Sequence, residues 1–274
     1  MSELTHFSLC SGIGGIDLAA KWAGFKTIAH CEIDDYASKV LAKNFKGVHN
    51  FGDIRAITNE SLANCDIAPS QTTVLSAGFP CQPYSLAGKG RGNGDERDLW
   101  AEVARVISLV KPTWFVGENT PGLFARVSQR YFIRILADLA RLGYTVAWGI
   151  WGASDVGAWH KRDRIFIVAH KNSVAPHTIS ERRRGLDTLK KARCADVFIP
   201  LLSQKERTQE YPPALLSFYL ERSFTSPMCN ILRNDDGLSV SMDRIRSLGN
   251  AVVPQQAYPI FKAIADIEGA KIYE

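Results

Sequence analysis

Between His6 and His170, short apolar or β-branched runs alternate with stretches in which apolar side chains recur every three or four residues. That alternation is the βαβα pattern of a parallel sheet covered by helices, an α/β fold. His6 to Cys10 reads as a first strand, and the glycine turn Gly12-Ile13-Gly14-Gly15 leads into a helix from Ile16 to about Ala23. Lys26 to Glu32 reads as a second strand. Asp34 and Asp35 then open a helix that places Tyr36, Val40, Leu41 and Phe45 on one face. Thr73 to Ser76 is a further strand. The helix from Leu99 to Val110 buries Val103, Val106, Ile107 and Val110 and stops before Pro112. Trp114 to Gly117 is a strand, Ser128 caps a helix to about Leu142, and Tyr144 to Ile150 and Ile165 to His170 are strands.

The periodicity fades from Lys171 to Gly237, where prolines cluster (Pro200, Pro212, Pro213, Pro227) and Arg182-Arg183-Arg184 appears. This segment reads as an irregular insert or small second domain. Helical pattern returns after Pro254, with Ala257, Ile260, Phe261, Ile264 and Ile267 along one stripe. Residues 1–170 and 238–274 therefore read as one packed domain interrupted by 171–237.

Composition narrows the class. At 274 residues, 46% apolar and 22% charged, the chain suits one large soluble domain with a small insert. No apolar run approaches the roughly 20 residues of a membrane span. The amino terminus is not a basic-then-apolar signal, so no membrane partner is expected and cytoplasmic residence is. The six cysteines (Cys10, Cys31, Cys65, Cys81, Cys194, Cys229) form no C-x-x-C pair and have no histidine at ligand spacing. That argues against a disulfide framework and against a structural metal; a reducing compartment fits. Of the net charge of +5, Lys171 to Glu210 carries +4, from nine basic and five acidic residues. A local basic patch suits a polyanionic partner, and a solvated loop explains the charge about as well.

The glycine turn after the first strand lets backbone approach a ligand at the carboxyl edge of the sheet. A dinucleotide-binding turn wants a third glycine where Asp17 stands, so a pyrophosphate cradle is disfavoured. Glu32 ends the second strand, where a carboxylate accepts hydrogen bonds from ribose hydroxyls. Gly52-Asp53-Ile54 offers a second carboxylate, suited to an adenine amino group, at the end of a third strand. A nucleoside without a pyrophosphate fits this edge, and S-adenosylmethionine is the obvious candidate; the glycine motif alone is better explained as an ordinary tight turn with solvent-facing acids.

Gly78-Phe79-Pro80-Cys81-Gln82-Pro83 holds a cysteine between two prolines at a strand exit. A polar, glycine-rich tract from Ser85 to Arg97 follows. Alone, such a cysteine is more often an inert buried side chain than a nucleophile. Three further features change that balance: Glu118-Asn119 at the end of a strand, Lys161-Arg162-Asp163-Arg164 before another, and Gly249-Asn250-Ala251-Val252-Val253-Pro254 opening the last helix. Together with Ser11-Gly12-Ile13-Gly14-Gly15, and in this order, these motifs resemble the DNA (cytosine-5) methyltransferase family.

The resemblance covers about 1–170 and 238–267. It implies a Rossmann-like S-adenosylmethionine-dependent methyltransferase sheet with a small irregular target-recognition insert at 171–237. By resemblance, Cys81 adds as a thiolate to C6 of a flipped cytosine, turning C5 into the nucleophile for the methyl group. Glu118 faces N3 and the exocyclic amine with a raised pKa, Arg164 holds O2, and Arg162 lies near a phosphate or Glu118. The tract from Ser85 to Arg97 resembles the loop that closes over the base, with Lys89, Arg91 and Arg97 in reach of phosphates. The implied cofactor site comprises Cys10, Gly12, Gly14, Gly15, Glu32, Ile33, Asp53, Ile54, Pro80, Leu99, Asn250 and Val252.

Double-stranded DNA is the implied partner, with a cognate restriction endonuclease as a second, and a monomer is expected. A tRNA cytosine-5 methyltransferase and a non-catalytic nucleic-acid-binding relative are the alternatives. The sequence departs from the family's usual pattern in two places. Many members have Phe where Cys10 stands and Trp where Ile33 stands, so a looser adenine clamp and weaker cofactor affinity are expected. The family's arginine-rich motif is not evident, and Met242-Asp243-Arg244-Ile245-Arg246 stands as a shortened substitute.

Overall fold

The computed structural model describes residues 3–80, 98–124, 128–171, 247 and 249–270. Cys81, the tract from Ser85 to Arg97, the 171–237 insert beyond Lys171 and the 242–246 run lie outside the described residues.

Among the described residues, seven strands form one sheet: β1 Thr5–Leu9, β2 Lys26–Cys31, β3 His49–Asn50, β4 Val74–Ala77, β5 Trp114–Asn119, β6 Tyr144–Trp151 and β7 Arg164–Lys171. Their order is β3-β2-β1-β4-β5-β7-β6. β1 to β5 run parallel, as the alternating pattern predicts. β7 alone is reversed. It pairs antiparallel with both β5 and β6, so β6 keeps the direction of β1 to β5 and the expectation of a parallel sheet through residue 170 is corrected at β7. The Gly152–Asp163 connection contains one 3-10 turn, Ala153–Val156, and no α-helix to carry a parallel crossover. β7 instead inserts between β5 and β6 and brings its amino-terminal end, Arg164, to the carboxyl end of β5.

Helices cover both faces. α1 (Gly15–Trp22) and the last helix, α6 (Pro254–Ala270), pack on one side, where Ile16, Ala19, Phe25, Ile260, Phe261 and Ile264 share a core with Val74, Val116 and Phe166. α3 (Asn59–Ala63), α4 (Trp100–Val110) and α5 (Gln129–Arg141) form the other side with Leu62, Trp100, Val103, Ile107, Ile135 and Leu139. All four apolar positions predicted to face inward from α4 are buried. In α2 (Asp35–Asn44), Leu41 is buried while Tyr36 and Val40 are half-buried. Asp34 caps α2 by accepting the Ala37 N–H. Ser128 is the cap residue of α5, with no side-chain cap bond.

The strand order reverses between β2-β1 and β4-β5, so a crevice opens above the carboxyl ends of β1 and β4. No helix among the described residues is long and apolar enough to cross a membrane. An open groove at the opposite edge of the sheet, lined by Leu62, Ala63, Ile67, Leu109 and Lys111 among others, carries none of the candidate residues.

Candidate active site

The turn after β1 has two kinds of glycine. Gly12 adopts φ +54 and a Cβ there would meet nothing within 4 Å, so its backbone borders open space. Gly14 and Gly15 are required by the protein itself. A Cβ on Gly14 would stand 2.7 Å from the Phe45 ring, and one on Gly15 would stand 2.3 Å from the Val252 carbonyl oxygen. The last motif thus closes over the start of α1. Asp17, which replaces a third glycine, is wholly buried, with Ser8 Oγ donating to it at 3.1 Å and His30 Nε2 lying 3.2 Å from its other oxygen.

Glu32 follows β2 and is held at both carboxylate oxygens. Gly12 N donates to Oε2 at 2.7 Å and Asp34 N to Oε1 at 2.8 Å. Each oxygen keeps a second lone pair for a hydroxyl donor. Ile33, the next residue, is 70% exposed and presents an apolar surface to solvent. Cys10 is half-buried with φ 49, and burial, then the nearby Glu32 charge, pushes its thiol up to about 12. Such a thiol is an inert wall, not a nucleophile. The predicted third strand is shorter than expected, ending at Asn50. Asp53 instead caps a 3-10 turn, Ile54–Ala56, by accepting the Arg55 N–H at 3.0 Å. Ile54 is buried beneath it. Arg105 of α4 grips this turn from the far side, donating to the carbonyls of Ile54 and Ile57 at 2.8 and 2.6 Å.

β4 delivers the chain toward Cys81. Gly78 N donates to Leu9 O at 3.3 Å, and the buried Phe79 ring packs on Trp100 at 5.3 Å. Asn119 Nδ2 donates to Phe79 O at 2.8 Å, tying the end of β5 to the backbone two residues before Cys81. A Cβ at Gly78 would stand 3.6 Å from Glu118 Oε2. Pro80, half-buried, is the last described residue before Cys81; Leu99, also half-buried, sits just ahead of α4 and packs on the core.

Glu118 and Arg164 meet, where the resemblance implies Arg162 near a phosphate or Glu118. The register pairs Glu118 with Phe166 and Asn119 with Ile165, so Arg164 emerges beside Glu118, with Nε 2.8 Å from Oε1. Glu118 is 7% exposed. Burial pushes its pKa up to about 7, against the pull of the Arg164 and Arg162 charges. The group can therefore carry a proton near neutrality, as a general acid needs.

Arg162 does something the sequence did not suggest. From a left-handed backbone (φ 38) its guanidinium donates to the carbonyls of Gly249, at 2.7 Å, and Ala251. Its reach toward Glu118 is electrostatic only, and its hydrogen bonds strap the last motif down. Gln256 of α6, fully buried, completes the strap through Arg162 O at 3.0 Å and Trp151 O at 3.1 Å. Asn250 is exposed and Val252 half-buried over Gly15. The structure thus gathers the described candidates at one edge. Sequence reasoning missed Asn50, Arg105 and Gln256, whose hydrogen bonds brace the segments around this edge.

A model of the C-5 cytosine-specific DNA methylase family matches residues 4–213. The chain belongs to that family. Among its relatives is the Type II methyltransferase M.NgoBI of Neisseria gonorrhoeae, 38% identical over 179 residues, or 64% of this chain and 54% of that one. M.HaeII of Haemophilus aegyptius is 38% identical over 169 residues, 61% of this chain and 51% of the relative. The chain thus spans about half the length of these curated relatives. A putative DNA modification methyltransferase encoded within an E. coli prophage superposes with a TM-score of 0.55 at 26% identity, over 65% of this chain and 50% of that one. The S. pombe Dnmt2 methyltransferase, at 14% identity, superposes with a TM-score of 0.50 over 99% of this chain and 98% of that one, a likeness of fold.

Proposed function

We propose that the protein transfers a methyl group from S-adenosylmethionine to C5 of a cytosine in a short double-stranded DNA sequence. The observation that carries this reading is the buried Glu118–Arg164 pair beside Gly78, three residues before Cys81, on the same edge as the Gly12–Glu32 turn.

The edge suits the cofactor's adenosine. Gly12 leaves open space, Glu32 keeps acceptor capacity for ribose hydroxyls, Ile33 offers an apolar face to adenine, and Asp53 offers a second carboxylate at the head of the Ile54–Ala56 turn. When bound, the cofactor supplies an electrophilic methyl group. The protein's part is to make cytosine nucleophilic. Cys81 adds as a thiolate to C6 of a base taken out of the stack, and the C5–C6 π electrons become available at C5. Charge moves toward N3 and O2. Protonated Glu118 donates at N3, and Arg164 offers its guanidinium to O2. After C5 takes the methyl group, loss of its proton restores the double bond and expels the thiolate.

Arg162 acts indirectly in this reading, by holding Gly249 to Ala251 over Gly15. Residues 1–170 with 238–274 form the catalytic part and 171–237 selects the target. A cognate restriction endonuclease is proposed as a partner on the Type II naming of the relatives alone.

The test is to express the chain in cells that lack cytosine methylation and to sequence their DNA after bisulfite conversion. Protected cytosines in one short motif, lost in Cys81→Ser, are expected. Unprotected DNA alongside methylated tRNA would replace the substrate, and no transfer at all would leave a binding protein.

A further inference from the structure

The β2–β3 ladder is too short to hold the residues at its own end. β3 is only His49–Asn50, and its backbone pairing with β2 finishes with Phe51 N donating to His30 O at 2.9 Å. Glu32 lies two residues further on, and there the Asn50 side chain takes over the work of a strand. Its Oδ1 accepts from Glu32 N at 2.9 Å, and its Nδ2 donates to Glu32 O at 3.1 Å. The same Oδ1 accepts from Gly52 N at 3.1 Å, and the same Nδ2 donates to Ser38 Oγ at 3.0 Å. Ser38 in turn donates to Glu32 O at 3.0 Å.

Four bonds use the whole capacity of a primary amide, two lone pairs and two N–H groups. No other side chain of this length presents both sets. Asp lacks the donors, and Ser has one hydroxyl. The groups that Asn50 joins lead to the two carboxylates of the edge. On one side is Glu32, whose carboxylate also takes Gly12 N and Asp34 N. On the other is Gly52, whose φ of +69 turns the chain into Asp53 and whose carbonyl accepts from Cys31 Sγ at 3.2 Å.

We infer that Asn50 is the positioning residue of the nucleoside edge, fixing through its bonds to Glu32 and Gly52 the separation between the ribose-facing carboxylate and the adenine-facing turn. The inference rests on the reading of this edge as an S-adenosylmethionine site. Asn50 does not touch the ligand; it sets where Glu32 and Asp53 stand.

The experiment is calorimetric titration of the full chain with S-adenosylhomocysteine, for wild type, Asn50→Ala, Asn50→Asp and a Thr58→Ala control. Thr58 caps α3 by accepting Ser61 N at 3.1 Å and touches neither Glu32 nor Gly52. Asn50→Ala should raise Kd about ten-fold, the equivalent of one or two net hydrogen bonds. Asn50→Asp, which keeps acceptors for both amides and loses both donors, should raise it several-fold, by about one such bond. Thr58→Ala should stay within about two-fold despite its lost cap.

In steady state, the Asn50 variants should raise the cofactor KM and leave kcat at saturating cofactor and the KM for DNA unchanged. Wild-type affinity in Asn50→Asp overturns the inference, and so does an equal rise in Thr58→Ala, which would make the effect general destabilisation. If Asn50→Ala does not fold, Asn50→Asp alone decides. Wild type that binds no S-adenosylhomocysteine would instead remove the cofactor reading, and this inference with it.

Discussion

The two halves of the carboxyl edge hold their acids in opposite ways. On the β1–β2 side, Glu32 is half-buried and its oxygens are met by backbone N–H groups of Gly12 and Asp34. On the β5–β7 side, Glu118 is buried and, among the described residues, met by the guanidinium of Arg164, with its pKa raised to about 7. The first arrangement makes a fixed acceptor for hydroxyl donors. The second makes an acid whose proton is available near neutrality. In the proposed function, one sheet therefore supplies a binding carboxylate and a working carboxylate, because amide dipoles surround one and apolar strands surround the other.

Exchanging these roles is the sharpest way to break the comparison. Glu118→Gln should lower kcat about 10²–10⁴-fold, the usual weight of a positioned general acid, with S-adenosylhomocysteine affinity intact. Glu32→Ala should do the reverse, raising cofactor KM with kcat at saturation preserved. Single-turnover transfer of labelled methyl groups, combined with titration, separates the two. The same contrast has a pH signature. Glu118 titrates near 4.5 in a free chain and about 7 here, so the folded protein holds this proton more tightly. Its contribution to stability is complete below pH 4.5 and is lost as pH rises through about 7. Activity that needs the protonated acid falls over the same upper range, and Glu118→Gln should remove that limb from the unfolding curve.

Much of the edge was legible in the sequence because its candidate residues sit in runs. Gly12, Glu32, Glu118 and Arg164 all occupy the strand ends that hydrophobic periodicity predicts. The direction of β7 was not legible, since an apolar strand looks the same read either way. The length and composition of the Gly152–Asp163 connection held the missing signal, for it has no helical period. Asn50, Arg105 and Gln256 were invisible for another reason. Each is an isolated polar residue whose partners lie far away in sequence or on backbone atoms, as with Arg105 reaching Ile54 and Ile57. Arg162 was visible as a charge, but its carbonyl partners at Gly249 and Ala251 belong to a segment that only folding brings near.

The nucleoside half has a pH dependence of the opposite sign. His6, beneath the glycine turn, is wholly buried against Ser76 Oγ at 2.8 Å and Thr27 Oγ1 at 3.3 Å. Burial lowers its pKa from 6.5 to about 4, against the pull of Asp17. The folded chain therefore binds this proton less readily than the unfolded one, and stability present above pH 6.5 is lost as pH falls toward about 4. The full effect is about 3 kcal/mol at about 1.4 kcal/mol per pH unit. His6→Gln, which can still reach Ser76, should cost stability at neutral pH and flatten the acid limb of the unfolding temperature between pH 6.5 and 4. An acid limb that survives in His6→Gln would assign it to other groups and leave the neutral limb of Glu118 as the only half of the contrast.

The smallest expected effect concerns the proposed adenine clamp, Cys10 and Ile33, where neither side chain is aromatic. Ile33 is 70% exposed, so Ile33→Trp adds a stacking face without displacing core atoms. One aromatic contact of about 0.5–1.5 kcal/mol corresponds to a Kd for S-adenosylhomocysteine lowered about two- to ten-fold. Cys10 is the harder position. Its backbone is left-handed at φ 49 and its thiol is half-buried against the core, so Cys10→Phe must fit a larger ring where little space exists. The double variant should therefore bind more tightly than wild type through position 33, with the unfolding temperature lowered through position 10. A Kd unchanged in the double variant would mean that affinity on this side is set by the hydrogen bonds around Glu32 and that the apolar clamp adds nothing to them.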